Sequence, residues 1–308
     1  MAVISKADAE ALLAKQSVND ILQDAPKTSA ALTSFRTVPM SAGVSSMPVL
    51  AALPTAGFVT DDTENASSTK PTSRVAWSKK ELRVEEIAVI IPIHENTFDD
   101  SEFDIWANVR PLIAQEFGRV LDGAVFFGVN KPTTWDASIV AGATTAGNVY
   151  TTPGTGAPDL AEQINQTWAL VEADGFDVNV NYTSRALRSR LRGLRDADGN
   201  PIYLDGLRGD GATRSIYGED LFYVTNGAWD PAQATVISGD RSKAIIGVRQ
   251  DMTFKILTEA TVGGYNLAEK DMIALRCKMR IAFAVDTPLT LEGGADGYPF
   301  AILAPAAG

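Results

Sequence analysis

At 308 residues the chain can fold as one large or two modest compact units, and 45% hydrophobic with 21% charged residues is the composition of an ordinary globular protein. Its 27 lysines and arginines stand against 38 acidic residues, and a formal net charge of -11 opposes general affinity for phosphate backbones. The single cysteine, Cys277, excludes an intrachain disulfide and a cysteine-rich zinc cluster.

Residues 1–15 alternate charge with alanine and leucine and lack the apolar core of a signal peptide. Ser5 and Asp8 read as the start of one short helix. From residue 25 to 54, Pro26, Pro39, Pro48 and Pro54 forbid a long helix, while Phe35, Val38, Met40, Val44, Met47, Val49 and Leu50 demand something to pack on; an extended arm is expected. Residues 57–60 and 74–77 read as two short strands around a polar tip at residues 61–73, a projecting hairpin.

Residues 82–93 alternate as a long strand, with Ile87, Val89, Ile91 and Ile93 in phase and an irregularity expected at Glu85 and Glu86. Asp99, Asp100 and Ser101 then offer helix capping. Trp106, Val109, Ile113, Phe117, Val120, Ala124 and Phe127 recur at helical spacing, so residues 101–128 predict one long amphipathic helix, with a kink at Pro111 or a start near residue 108. Residues 128–158, rich in Gly, Thr and Ala, read as a crossing between lobes.

A mixed α/β lobe follows. Asp159 and Glu162 open a helix with the stripe Leu160, Ile164, Trp168 and Val171, closed by Gly175. Residues 177–181 predict a strand, and Thr183 or Ser184 the cap of a helix running through Leu187 and Leu191 to Gly193. The last third is strand-dominated: Ile246, Val248, Met252, Phe254 and Ile256 share one face of residues 244–257, and Ile273, Leu275, Cys277, Met279, Ile281, Phe283 and Val285 one face of residues 271–285. A strand of that second length extends about 50 Å and should pass from one lobe to the other. Its opposite face carries Arg276, Lys278 and Arg280, so it should be wet or meet acidic partners.

Chemistry is sparse. His94 is the lone histidine, at a strand end, and no nucleophile elbow, phosphate loop or dinucleotide turn occurs. Asp196, Asp198 and Asn200 begin like a calcium loop, but Leu207 stands where the twelfth-position glutamate belongs. Cys277 is expected in the core. No catalytic, cofactor-binding or metal site is assigned, and no uncharged apolar run approaches the roughly 20 residues of a membrane span. Arg185, Arg188, Arg190, Arg192 and Arg195 form a basic cluster that reads as ion-pairing surface, between subunits or within one, or as a contact with nucleic acid.

The order arm, hairpin, long strand, long helix, mixed lobe, very long strands resembles the tailed-bacteriophage major capsid proteins of the Hong Kong 97 fold. The segments that carry the resemblance are Glu86-Ile87-Ala88-Val89-Ile90-Ile91-Pro92-Ile93, Asp104-Ile105-Trp106-Ala107-Asn108-Val109-Arg110-Pro111-Leu112, Leu121-Asp122-Gly123-Ala124, and Ser238-Gly239-Asp240-Arg241-Ser242-Lys243-Ala244-Ile245-Ile246-Gly247-Val248-Arg249.

The resemblance implies an α+β fold with an N-terminal arm over residues 1–53 and an extended loop over 54–82. A peripheral domain would take 83–148 and 248–282, with its spine helix at 101–128, and an axial domain 149–247 and 283–308. It implies a non-enzymatic subunit, without cofactor, of an icosahedral virion head assembled in the bacterial cytoplasm. Copies would join as hexamers and pentamers, with a portal protein and separate scaffolding or decoration proteins as partners, around DNA held without sequence-specific contacts. The chain lacks the long N-terminal scaffolding segment of some relatives, so scaffolding is expected from elsewhere or not at all. One branch of the family cross-links subunits through lysine and asparagine beside a glutamate, for which Lys70, Asn266 and Glu269 are the candidates. The alternatives are an encapsulin-like compartment shell and, more remotely, a hydrolase using acidic residues.

Overall fold

The computed structural model describes residues 29–52, 54, 56, 72–73, 75–99, 105–154, 159–195, 198–200, 203, 215–292 and 297–306. The helix expected near Ser5, the strand expected at residues 57–60, Lys70 and most of the hairpin tip lie outside them. In chain order the elements are α1 (Ala30–Ser34), β1 (Arg36–Pro39), β2 (Val44–Ala52), β3 (Ala76–Arg83), β4 (Glu85–His94), α2 (Glu95–Asp99) and α3 (Ile105–Asp122), which continues as a π-helical turn (Gly123–Phe127). Then come α4 (Ile139–Ala146), β5 (Val149–Thr151), α5 (Leu160–Ala173), β6 (Val180–Ser184), α6 (Leu187–Arg192), β7 (Ser215–Ile216), β8 (Glu219–Val224) and β9 (Val236–Gly239). The chain closes with β10 (Ala244–Leu257), β11 (Thr261–Val262), β12 (Tyr265–Asn266), β13 (Met272–Val285) and β14 (Phe300–Ala304).

The two longest strands, β10 and β13, pair antiparallel at the centre of a four-stranded sheet ordered β1-β10-β13-β4. Alternation decides what covers it. Ile273, Leu275, Cys277, Met279 and Ile281 face one way, and directly opposite four of them on β4 stand Ile93, Ile91, Val89 and Ile87. This apolar face is what the α3 stripe of Trp106, Ile113, Phe117 and Leu121 buries, in one continuous core. The other face carries Arg276, Lys278 and Arg280, half-buried, with Lys278 Nζ 3.8 Å from Glu86.

Several boundaries differ from expectation for identifiable reasons. The long helix is already formed at Ile105, upstream of residue 108, with Pro111 inside it, and the caps expected at Asp100 and Ser101 lie outside the described residues. Its backbone irregularity is the buried π turn at the other end, closed by Gly128 in the left-handed region at φ 74°. The break between β3 and β4 falls at Val84, one residue before the expected irregularity, and β3 runs on past Trp77 to Arg83. Phe254 and Ile256 lie on the helix-covered face, opposite Cys277 and Leu275, yet are 37% and 49% exposed, because the cover stops short of the far end of β10.

The expected crossing at residues 128–158 holds a helix, α4, capped by Ser138, whose hydroxyl accepts from the Ala141 N–H. Small residues let it lie close: a side chain on Gly142 would overlap the Tyr298 ring. The strand expected at 177–181 forms three residues later, as β6. Thr183 and Ser184 are therefore strand residues rather than caps, and α6 starts after Ala186 without a side-chain cap.

The second sheet has six strands, β5-β14-β9-β6-β8-β7. The C-terminal strand β14 runs through its interior, parallel to β5 and antiparallel to β9. α5 opens at Asp159, as its residues predict, and packs with α6 on one face through Leu160, Ile164, Leu187 and Leu191 against Val236 and Leu303. The opposite face, with Val180, Tyr182, Ile237, Phe300 and Ile302, joins the same core as the α3-covered sheet.

Candidate assembly surfaces

The arm is fastened before it reaches any sheet. Ser29 caps α1 by accepting from the Leu32 N–H, and the same hydroxyl donates to Asp122 Oδ1 at 2.5 Å. The Ala30 and Ala31 N–H groups donate to Asp122 at 2.9 and 3.1 Å, and Asn226 Nδ2 donates at 2.6 Å. Asp122 is fully buried at the end of α3. Burial drives its pKa up from the ordinary carboxylate value, and the four donors oppose that shift.

Beside this clamp Phe35 inserts between rings, with centroids 5.7 Å from Phe126, 5.5 Å from Tyr182 and 6.3 Å from Phe300. The arm crosses the spine helix at Gly118, where a Cβ would stand 3.1 Å from Ser29 N. It then enters the first sheet as β1, parallel to β10, and Met40 lies against Gly247 where no side chain fits. Asp122 lies in the Leu121-Asp122-Gly123-Ala124 segment that carries the resemblance, but its partner Ser29 is 93 residues away, and that separation hides the pair from any local reading.

The hairpin of β2 and β3 has two unlike faces. Leu82 packs inward with Met40, Ile245, Ala282 and Ala284, Lys80 Nζ pairs with Asp136 at 2.9 Å, and Trp135 Nε1 donates to the Arg83 carbonyl at 3.1 Å. On the outward face Val44, opposite Arg83 at one end of the hairpin, is 51% exposed, and Trp77, opposite Leu50 toward the other end, is 68% exposed with exposed Val75 two residues away. The first hairpin strand opens at Val44, within the segment read as arm. At the far end of β10 a second apolar strip, Phe254 and Ile256, is met by Arg110, whose guanidinium lies 5.5 Å from the Phe254 ring centre. Scattered exposed apolar residues such as Val44 are ordinary, but an exposed tryptophan with an exposed valine two residues away marks contact surface.

Of the cross-link candidates, Asn266 ends β12, its side-chain oxygen accepting from the Ala268 N–H at 3.3 Å, and Glu269 is exposed in the next turn. Lys70 lies outside the described residues. His94 is exposed at the end of β4, and Cys277 is buried, its thiol pushed up to about 11 by desolvation. Among the described residues no group of three or more His, Cys, Asp or Glu could hold a metal. The basic cluster rides on α6: Leu187 and Leu191 are buried and all five arginines exposed.

Long stiff elements, a clamped arm and a hairpin whose outer face none of the described residues covers define the subunit of a shell. The sequence profile of the phage capsid family matches residues 10–289. The major capsid protein of Staphylococcus phage 80alpha is 25% identical over 252 residues, 76% of this chain and 68% of its own length. A solved chain of Microbacterium phage Oxtober96 superposes with TM-score 0.86 at 59% identity, covering 99% of this chain and 100% of its own. One of Mycobacterium phage Bobi does so with TM-score 0.85 at 37% identity, covering 100% of both. The chain belongs to the phage capsid family. It has the Hong Kong 97-type α+β fold and is a structural major capsid protein of the virion shell, not an enzyme.

Proposed function

We propose that copies of this chain join as hexamers and pentamers into a closed icosahedral head, assembled in the bacterial cytoplasm around a portal protein. Scaffolding and decoration come from separate chains, and DNA is enclosed without base-specific contacts. In this reading residues 1–53 are the arm, 54–82 the extended loop, 83–148 with 248–282 the peripheral domain, and 149–247 with 283–308 the axial domain. The observation that carries it is the hairpin, held through Leu82 on one face while Val44 and Trp77 stand exposed on the other. A hairpin serving its own subunit alone would not need that outer face; one that lies on a neighbour does. A shell repeats each modest contact many times, so a small apolar strip suffices.

Electron microscopy of the purified chain under assembly conditions tests this directly. Shells are expected from the parent, and Trp77→Ser should leave a folded subunit with a sharply reduced shell yield. Parent-like shells from Trp77→Ser would remove the hairpin from the contact. Denaturing electrophoresis of the shells reports covalent joining: a ladder of multimers that vanishes in Lys70→Arg and Asn266→Ala and weakens in Glu269→Gln assigns the cross-link to these residues. A single monomer band assigns none.

A further inference from the structure

Arg185, Arg188, Arg190, Arg192 and Arg195 are all exposed, on a chain whose net charge is -11. Two of them finish the helix that carries them: Arg192 Nε donates to the Arg188 carbonyl and Arg195 Nη1 to the Arg192 and Leu194 carbonyls, closing the C-terminal end of α6. Arg185 and Arg190 do nothing comparable. Among the described residues neither side chain makes an ion pair or hydrogen bond. Clustered like charges repel, and Arg188, over the Tyr223 ring at 5.3 Å, is held within the subunit while Arg185 and Arg190 are left for a partner.

The sheet register places the cluster at one end of its lobe. Thr183, Val236 and Leu303 stand at one level across β6, β9 and β14, and Val236 and Leu303 share a core with Leu160 and Leu187. α6 and the start of α5 therefore sit where β6 and β14 finish. α5 runs back toward where those strands begin, and there Val171 and Phe176 pack on Ala301. At that far end Glu172, Asp177 and Glu292 are exposed, Glu292 lying beside Gly175. Fourteen helical residues separate the two ends, about 21 Å at the usual rise. Asp159 and Glu162 open α5 at the arginine end and offset only part of the charge there. One lobe thus presents a basic end and an acidic end, the arrangement a head-to-tail contact between identical copies requires.

We infer that the arginine face of α6 docks on the Glu172, Asp177 and Glu292 end of a neighbouring copy, a contact that rests on the shell reading above. Phosphate is the competing partner for arginine, but it leaves the acidic end without a role and must overcome the overall charge.

The test is shell yield at about 0.15 M salt, where exposed charges are screened beyond roughly 8 Å. It compares the parent, Arg185→Glu with Arg190→Glu, Glu172→Lys with Asp177→Lys, and the four changes together. Each one-sided variant should lose at least about tenfold in yield, with an unchanged thermal midpoint for the subunit, and the fourfold swap should recover it. One-sided arginine variants that assemble like the parent overturn the contact, as does a swap that fails to recover. Shells formed at normal yield but holding less DNA overturn it in favour of phosphate. A parent chain that forms no shells overturns the shell reading and this contact with it, whereas parent shells beside unaffected variant shells overturn the contact alone.

Discussion

Asp122→Asn isolates the clamp that holds the arm to the spine. The carboxylate accepts four hydrogen bonds, Ser29 Oγ and Ala31 N on Oδ1, Ala30 N and Asn226 Nδ2 on Oδ2. An amide offers one acceptor atom. If its nitrogen takes the Oδ2 place, two donors face a donor; if it takes the Oδ1 place, Ser29 can rotate to accept but the Ala31 N–H is orphaned. The second arrangement wins, leaving one buried backbone donor unsatisfied at about 1–3 kcal/mol and weakening the rest from charged to neutral bonds, about 1 kcal/mol each. Relief from burying a charge offsets part of this, so the net loss should be about 2 kcal/mol in urea unfolding of the unassembled subunit at pH 7.

The pH dependence carries a sign. Burial raises the folded pKa above the ordinary 3.8, so the contribution of Asp122 is fully present below that value and is lost as pH rises through the folded one. Asn cannot titrate. The stability gap between parent and variant should therefore widen on acidification across that window. A variant as stable as the parent at neutral pH would refute the clamp, whereas a gap that narrows toward acid would show that the four donors outweigh burial in setting the pKa.

Gly142→Ala should destabilise the subunit by about 1–3 kcal/mol in the same unfolding assay, because the added methyl overlaps the Tyr298 ring and α4 must move off the second sheet. Cys277 should resist thiol reagents in the folded subunit at pH 8 and react on unfolding, since its pKa is pushed up to about 11; rapid native labelling would contradict its place in the core. Phe35→Ala removes a nearly buried ring from contacts with Phe126, Tyr182 and Phe300, so a loss of about 3–5 kcal/mol and faster proteolysis next to the arm are expected. Ile256→Ser, already half exposed, should change subunit stability by less than about 0.5 kcal/mol.

Periodicity made the largest elements legible. The seven residues assigned to one face of residues 271–285 are all buried, because a strand of fixed register cannot slip without turning its whole apolar set to water. Residues whose fate depends on what stops above them were not legible: Phe254 and Ile256 continue the same alternation, and nothing local says that the helical cover ends first. α4 was missed because its sequence, Ile-Val-Ala-Gly-Ala-Thr-Thr-Ala, owes its helical state to Ser138 and to the close fit on Tyr298, whereas its composition resembles a loop. The Asp122 clamp is a tertiary feature throughout, four donors gathered from two distant segments. No spacing rule could have found it.

The surfaces turned outward share one construction. Trp77 stands five residues from Leu82 on the same strand, on the opposite face, and Leu82 is buried under Met40 and Ile245. Arg190 is adjacent to buried Leu191, and Arg188 to buried Leu187, on a single short helix. In each case the presenting side chain belongs to a backbone segment already fixed by a residue driven into a core. Association then needs to order side chains but not backbone, and freezing a rotamer-rich side chain costs roughly 0.5–1.5 kcal/mol where fixing backbone adds about 1–2 kcal/mol for every residue. For a contact that must be weak enough to correct errors and is repeated over a whole shell, that difference decides whether a strip of two or three exposed residues can hold at all. Loosening the anchor should therefore damage assembly as much as removing the contact: Leu82→Ala, with Trp77 untouched, should lower shell yield at temperatures where the subunit remains folded.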